Sequence, residues 1–600
     1  MIQNPHLFHI PVMGTGHSID TPIRVAHLGI HSVISVVDDM LCEKIRKHYA
    51  SEFDFKYENI PSFAEDGRAA RITAYLNLVG DIVHQKFEEM KNLPLFENTE
   101  KDRYFRLLPE GNPLKKGYEK LATITETESR RQMIRELTDR MRPGSIDVNI
   151  MAKVDALRMG PDDQPLSSEF SDASAALRGY ANSTLSSALV LSAGFNPRLY
   201  SYLSEFKDFY RDQKGEIKKK IILKVSDFRS ALIQGKFLAK KGLEVAEFRI
   251  ESGLNCGGHA FASDGSLLPV LLNEFTERRG QLRNTFEPMV KSFYESQKWE
   301  YPELPEEETT PKITVQGGIG NHGEMSRLLN EYGMDATGWG SPFLLVPEAT
   351  CVDETTSNVL ANAEENDLYL SNVSPLGVPF NNVHGTGSEK YTRELIEKGE
   401  PGSECPKGFL VSNTEFTEEP ICTAAAEYQV LKIRKIEESE LSDSEKKDQK
   451  KSVMEKTCLC VNLGTGSMIR LGIIKPSFGR QSICPGPNIA WFDREYTLDE
   501  MVDHIYGRRD SLVPEERPHM FAKELRMYVD YINELAILSD PDEPEWRKLV
   551  KMKKNLEKGM DLCTEIANGK AYPGENLESL RKAVANERKR LSEIFDVEIV

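Results

Sequence analysis

Short apolar runs that do not alternate with polar residues, separated by stretches of helical spacing, fill much of the first 350 residues. Runs of this kind suit strands buried on both faces of a parallel sheet. They fall near 8–14, 32–37, 145–150, 187–193, 220–225, 246–251, 312–317 and 334–339. Helical patterns separate them at 21–28, 169–181, 228–241 and 324–332. Eight strand candidates in this alternation predict an α/β chain folded as a (β/α)8 TIM barrel, with an open doubly wound sheet as the alternative.

The barrel pattern occupies 1–37 and 143–350 of the 600 residues and is interrupted once on a large scale. Residues 38–142 are charged and helical in period (74–93, 126–142), which predicts a helical insertion after the second strand, placed to cover the barrel mouth. A smaller excursion, 264–311, opens as a long helix and ends in an acidic, Pro-rich loop. Beyond 350 the texture changes. Residues 351–496 form a cysteine-containing region, and 497–600 a charged helical tail in which 520–538 is the strongest amphipathic stretch. The charge run 435–456 reads as a solvated helix or mobile loop.

Composition excludes some classes of partner. The formal net charge is −18, which disfavours nucleic acid, because phosphates call for a basic footprint. No run of eighteen apolar residues is present, so no membrane-spanning helix is expected. The first residues lack a basic and apolar leader, and nine cysteines in 600 residues do not make a disulfide scaffold; a cytoplasmic protein is expected. A homo-oligomer is an open expectation.

Chemistry concentrates at strand ends. The run from Ile313 ends in Gly317-Gly318-Ile319-Gly320, and a helix pattern follows. Glycines let the backbone approach an anion, and a helix N-terminus presents free N–H groups. The next strand ends at Gly340-Ser341. In a barrel these are the loops after strands seven and eight, where a phosphate site is commonly built. Cys256-Gly257-Gly258-His259 follows the sixth strand and places an imidazole at the mouth. Lys224 sits in an apolar strand, where its ammonium needs a polar ligand or a carboxylate.

Together with Pro11-Val12-Met13-Gly14, these motifs in this order resemble the FMN-dependent barrel family of nitronate monooxygenases (2-nitropropane dioxygenases). The resemblance is closer still to the enoyl reductases of polyunsaturated fatty-acid and polyketide synthases. It implies FMN at the C-terminal mouth. Backbone N–H groups of Gly317, Gly318, Gly340 and Ser341 would hold the phosphate, with Gly257, Gly258 and Gly320 completing the cofactor-binding set. Met13 and Gly14 would lie beside the isoalloxazine ring and Lys224 near its polar edge. His259 falls on the family's active-site histidine. The implied reaction is flavin oxidoreduction of a small or acyl-type substrate, by enoyl reduction with NAD(P)H as donor or by nitronate-type oxidation. The insertion and the long tail depart from the family pattern, so no substrate contact beyond His259 is carried over.

The cysteines suggest a second reading. Cys422, Cys458, Cys460 and Cys484 could supply four thiolates to an iron–sulfur cluster or zinc, with Cys351 and Cys405 as substitutes. A barrel protein using that site for binding or non-flavin chemistry is the rival function. Against it, Cys-x-Cys is not the usual ligand spacing, and buried thiols behave as small hydrophobes. Cys42 and Cys563 read as structural, and Cys256 as shaping its loop. Residues 374–384 form a rigid polar stretch suited to capping a pocket, and 462–467 a glycine-rich turn.

Overall fold

The computed structural model describes residues 5–150, 152–157, 164–192, 194–262, 264–539 and 544–596. Eight parallel strands close into a barrel in chain order: β1 (Phe8–Ile10), β2 (His31–Ser35), β3 (Ile146–Asn149), β4 (Ser187–Leu191), β5 (Lys219–Val225), β6 (Val245–Glu251), β7 (Lys312–Gln316) and β8 (Ala336–Gly338). Pairing of Phe8 with Thr337 and His9 with Gly338 joins the last strand to the first and removes the open-sheet alternative. Six of the eight strands end before their apolar runs do. Residues 11–14 leave the ladder after Ile10, since Pro11 has no N–H to donate and Gly14 takes a left-handed φ of 58°. The expected strand 187–193 ends at Leu191, and residue 193 lies outside the described residues.

The stretch 38–142 folds into helices Asp39–Glu52, Gly67–Lys91, Glu100–Leu107, Pro113–Leu121 and Thr127–Arg140. Asp38 caps the first through Leu41 N–H (3.0 Å), and Thr99 with Asp102 forms a capping box on the third. Helix Gly67–Lys91 buries its apolar stripe against Asp172–Ala181, where a Cβ on Gly179 would lie 2.8 Å from Ile72. The later helices sit at the N-terminal end of the strands: Asn112 Nδ2 donates to Pro5 O (3.0 Å) and Tyr104 Oη to Arg142 O (3.1 Å). This corrects the expectation of a lid. The insertion starts at the mouth but must return the chain to the foot of β3, and none of its residues from 38 to 142 lines the central cavity.

The chain after β8 covers the mouth instead. A two-stranded antiparallel sheet, β9 (Leu368–Ser371) and β10 (Phe380–Val383), touches the barrel through a bridge between Phe380 and His259. Residues 462–467, expected as a turn, lie inside helix Leu459–Arg470. The glycines there allow close packing: a Cβ on Gly466 would lie 2.9 Å from Asp353, and one on Gly16 only 2.6 Å from Leu463 O. The charge run resolves into the end of helix Ala426–Glu437 and a second helix, Asp443–Met454, capped by Ser442 and Glu445. Helices Met520–Ile537, Pro544–Asn568 and Leu577–Phe595 form the tail, the first matching the predicted amphipathic stretch. The 264–311 excursion is mainly helix Leu268–Ser296. Among the described residues no helix is long and apolar enough to cross a membrane.

Candidate active site

A cavity of about 1540 Å³ opens at the C-terminal ends of the strands. That exceeds the 300–1,000 Å³ or so of an ordinary small-molecule site, so there is room for a cofactor and a second ligand. Met13, Gly14, Lys224, Gly257, Gly258, His259, Gly317, Gly318, Gly340 and Ser341 all line it. Strand ends from across the barrel therefore converge as the sequence motifs imply.

Gly320 does not line it, and this corrects its place in the cofactor set. Its N–H donates to Glu324 (2.8 Å), its carbonyl accepts from His504 Nε2 (2.9 Å), and a Cβ there would lie 2.1 Å from the Arg517 guanidinium. Its smallness admits the tail rather than a ligand. Gly317 and Gly318 have φ of 119° and 75°, and a Cβ on Gly318 would meet Asn255 Nδ2 at 2.0 Å. The wall at the end of β7 is thus bare backbone, held in a conformation and at a distance that only glycine allows.

Below that wall a polar chain crosses the barrel. Lys224 Nζ pairs with Glu251 (2.7 Å), Glu251 accepts from Gln316 Nε2 (2.8 Å), and Gln316 reaches His9 (3.4 Å). Burial works to raise the Glu251 pKa, but the Lys224 charge and hydrogen bonds from Lys224 and Gln316 outweigh it and leave the carboxyl lowered. The Lys224 side chain therefore has the carboxylate that its apolar strand demanded.

His259 Nε2 lies 2.7 Å from Ser374 Oγ, and its ring stands edge-on to Phe380 at 5.0 Å. Burial first, and then the nearby Lys153 charge, lower its pKa to about 4. At neutral pH it is an uncharged imidazole tied to the 374–380 segment, several residues of which line the cavity as the sequence suggested. Cys256 Sγ points to Gln316 O (3.8 Å), and burial holds its thiol well above the ordinary range, in keeping with a loop-shaping role.

Sequence reasoning missed two groups. Lys153, after β3, lines the cavity with its ammonium 4.7 Å from the Phe261 ring centroid. Burial and then repulsion from Lys224 lower its pKa to about 8. No motif surrounds it; its only signal was a basic residue just past a strand end. The other is Glu524, fully buried behind the loop that follows β6. It accepts from Ser252 Oγ (2.6 Å) and Leu268 N–H (2.8 Å), and burial raises its pKa to about 7. Asn255 Nδ2 donates to Met520 O (3.2 Å), so the same helix clamps the loop twice.

The four proposed metal ligands do not assemble as predicted. Cys484 sits at the mouth with its carbonyl against Gly257, and burial pushes its thiol up to about 12. Cys405, Cys422, Cys458 and Cys460 lie near enough to shift one another's pKa, Cys405 and Cys458 downward and Cys422 and Cys460 upward. Among the described residues no group of three or more His, Cys, Asp or Glu side chains that could hold a metal ion is present. Cys484 serves the cavity wall, and the cluster expected at Cys422, Cys458, Cys460 and Cys484 is not supported.

No family model matches the chain, and no curated protein sequence matches it. Solved structures are similar to it at low identity. FabK from Thermotoga maritima is 14% identical with a TM-score of 0.31, over 68% of this chain and 86% of that one. The enoyl reductase domain of MlnA from the macrolactin biosynthesis cluster of Bacillus amyloliquefaciens is 14% identical with a TM-score of 0.33, over 68% and 87%. Nitroalkane oxidase from Streptomyces ansochromogenes is 11% identical with a TM-score of 0.35, over 85% and 96%. The barrel itself rests on its strand pairing.

Proposed function

We propose that this chain is an FMN-dependent oxidoreductase acting on an acyl-type substrate. The observation that carries the reading is the bare glycine wall at Gly317, Gly318 and Gly340, standing over the Lys224–Glu251 pair in one cavity with room for two ligands. Backbone at Gly317, Gly318, Gly340 and Ser341 would hold the phosphate, and Met13 and Gly14 would lie against the ring system. Lys224 would stand at its polar edge. Bound flavin would supply hydride or electron transfer, with NAD(P)H as donor.

The chain's own groups would do the rest. The wall built by Leu376, Phe380, Phe409, Leu410, Leu463 and Leu535 is apolar and would exclude water from a hydrocarbon substituent. This favours enoyl reduction over oxidation of a small nitronate. His259, uncharged and fixed by Ser374, would orient the substrate as a hydrogen-bonding group. Lys153, held near pH 8, is the better placed source of a proton. The purified protein should be yellow and release FMN on denaturation. Colourless protein that takes up no added FMN would sink the reading.

A further inference from the structure

Beyond β7 the backbone carbonyls of Gly318, Ile319 and Gly320 are each taken by a side chain from the far end of the sequence. Arg517 Nη2 donates to Gly318 O (2.6 Å), Asn488 Nδ2 to Ile319 O (2.9 Å) and His504 Nε2 to Gly320 O (2.9 Å). Leu512 N–H donates to His504 Nδ1 (3.1 Å), which leaves the ring proton on Nε2, where it meets Gly320 O. Arg517 also donates from Nε to Asn488 Oδ1 (2.8 Å) and from Nη1 to Glu324 (2.7 Å), in helix His322–Asn330. The other Glu324 oxygen accepts the Gly320 N–H (2.8 Å). Arg517, Asn488, His504 and Glu324 are all buried. Neither Gly318 N–H nor Ile319 N–H has a hydrogen-bond acceptor among the described residues.

We propose that Arg517, supported by Asn488, is a positioning residue that aims the Ile319 N–H at an anionic group in the cavity. A trans peptide points its C=O and its N–H in opposite directions. Arg517 does not line the cavity, whereas Gly317, Gly318 and Ile319 do, so the guanidinium lies behind the loop. Drawing the Gly318 carbonyl back to Arg517 turns the N–H of the same peptide unit, that of Ile319, forward. The donor is then fixed before any anion arrives and needs no reorganisation to meet it. Glu324 meets the guanidinium charge, so Arg517 works by direction rather than by lending a positive field. Only a planar fork can hold Gly318 O, Asn488 Oδ1 and Glu324 at once; a lysine keeps the charge and loses the geometry. The naming of the anion as the flavin phosphate rests on the flavin reading above, whereas the positioning itself does not.

The test compares FMN with riboflavin, which lacks only the phosphate, on the whole chain freed of flavin. By equilibrium dialysis, Arg517→Lys should bind FMN at least thirtyfold more weakly and riboflavin less than threefold more weakly. Asn488→Leu removes the partner of Ile319 O and an acceptor of Arg517 without changing a charge. It should lower the ratio of FMN to riboflavin affinity at least fivefold, and it is the second probe if the lysine variant does not fold. Equal weakening of both flavins, or unchanged FMN affinity, overturns the proposal, because a general packing defect does not single out the phosphate. The anion is also read without flavin. Inorganic phosphate should slow amide exchange in peptides covering 317–320 at least threefold in the wild type and not in Arg517→Lys. Equal protection of the two proteins overturns the positioning role. A wild type that takes up no FMN but shows the phosphate difference sinks the flavin reading and leaves that role standing; one that shows neither sinks both.

Discussion

The helices of the 38–142 insertion and the segments that follow residue 350 are both additions to the barrel, and only the second set reaches the cavity. The difference is one of connection. The insertion must deliver the chain from the end of β2 to the start of β3, so its mass runs down the barrel wall and collects at the foot. The chain after β8 has no further barrel strand to supply. It stays at the mouth, wedging Glu524, Arg517 and the 374–380 segment behind and above the glycine loops. An addition's size therefore says little about its bearing on the site; what matters is the strand end to which it must return.

The sharpest way to break this contrast is to disturb the wall that the later segments support. In Gly318→Val a Cβ would lie 2.0 Å from Asn255 Nδ2 at a φ of 75°. We expect at least a hundredfold weaker FMN retention, read by flavin content and equilibrium dialysis. Gly333→Ala is the control. It carries a positive φ of 60° but has nothing within 4 Å, so it should cost about 1 kcal/mol of stability through strain and leave flavin in place.

Glu524 gives the next largest effect and a direction in pH. Its carboxyl is raised from the ordinary 4.5 to about 7 by burial, so the folded state holds a proton that the unfolded state gives up. Its contribution to stability is fully present below about pH 4.5 and is lost as pH rises toward 7. Denaturant unfolding should show this fall, and Glu524→Gln, which keeps the shape without the charge, should flatten it. An unchanged slope would mean that the carboxyl is solvated.

The barrel was legible because buried parallel strands leave short apolar runs that few other structures require, and because Gly317-Gly318 and Gly340-Ser341 stand at two of their ends. The far side of the site was not. Glu524 lies in an amphipathic helix whose apolar stripe reads the same whether it packs on a neighbour or on a loop of the cavity; its partner Ser252 is 272 residues away. Gly320 and the 462–467 glycines misled for a related reason. Their lack of a side chain admits Arg517 in one case and close helix packing in the other, and a sequence does not say what approaches a glycine.

Lys153 sharpens the contrast from inside the cavity. Its charge depresses His259, so Lys153→Met should raise the His259 pKa from about 4, a shift visible in histidine ring resonances. The same variant should raise KM for an anionic acyl substrate about tenfold, in line with about 1.4 kcal/mol for a lost partly buried charge contact. Because burial and Lys224 hold Lys153 near pH 8, the wild-type advantage should fade above that pH as the ammonium deprotonates.

The smallest effect at the cavity belongs to the insertion. Leu137 is buried, and a Cβ on Gly117 would lie 2.6 Å from it, so helices Pro113–Leu121 and Thr127–Arg140 meet there. Leu137→Ala opens a hole that should cost about 2–5 kcal/mol, seen as a lowered denaturation midpoint. Flavin affinity and KM should nonetheless stay within twofold, since no residue from 38 to 142 lines the cavity. A KM shift beyond that, at temperatures where the variant is folded, would mean that packing at the foot of the barrel reaches the mouth through the strands. The Lys407–Asp38 ion pair is the tie to test next in that event, because it joins the start of the insertion to the segment bearing Phe409 and Leu410.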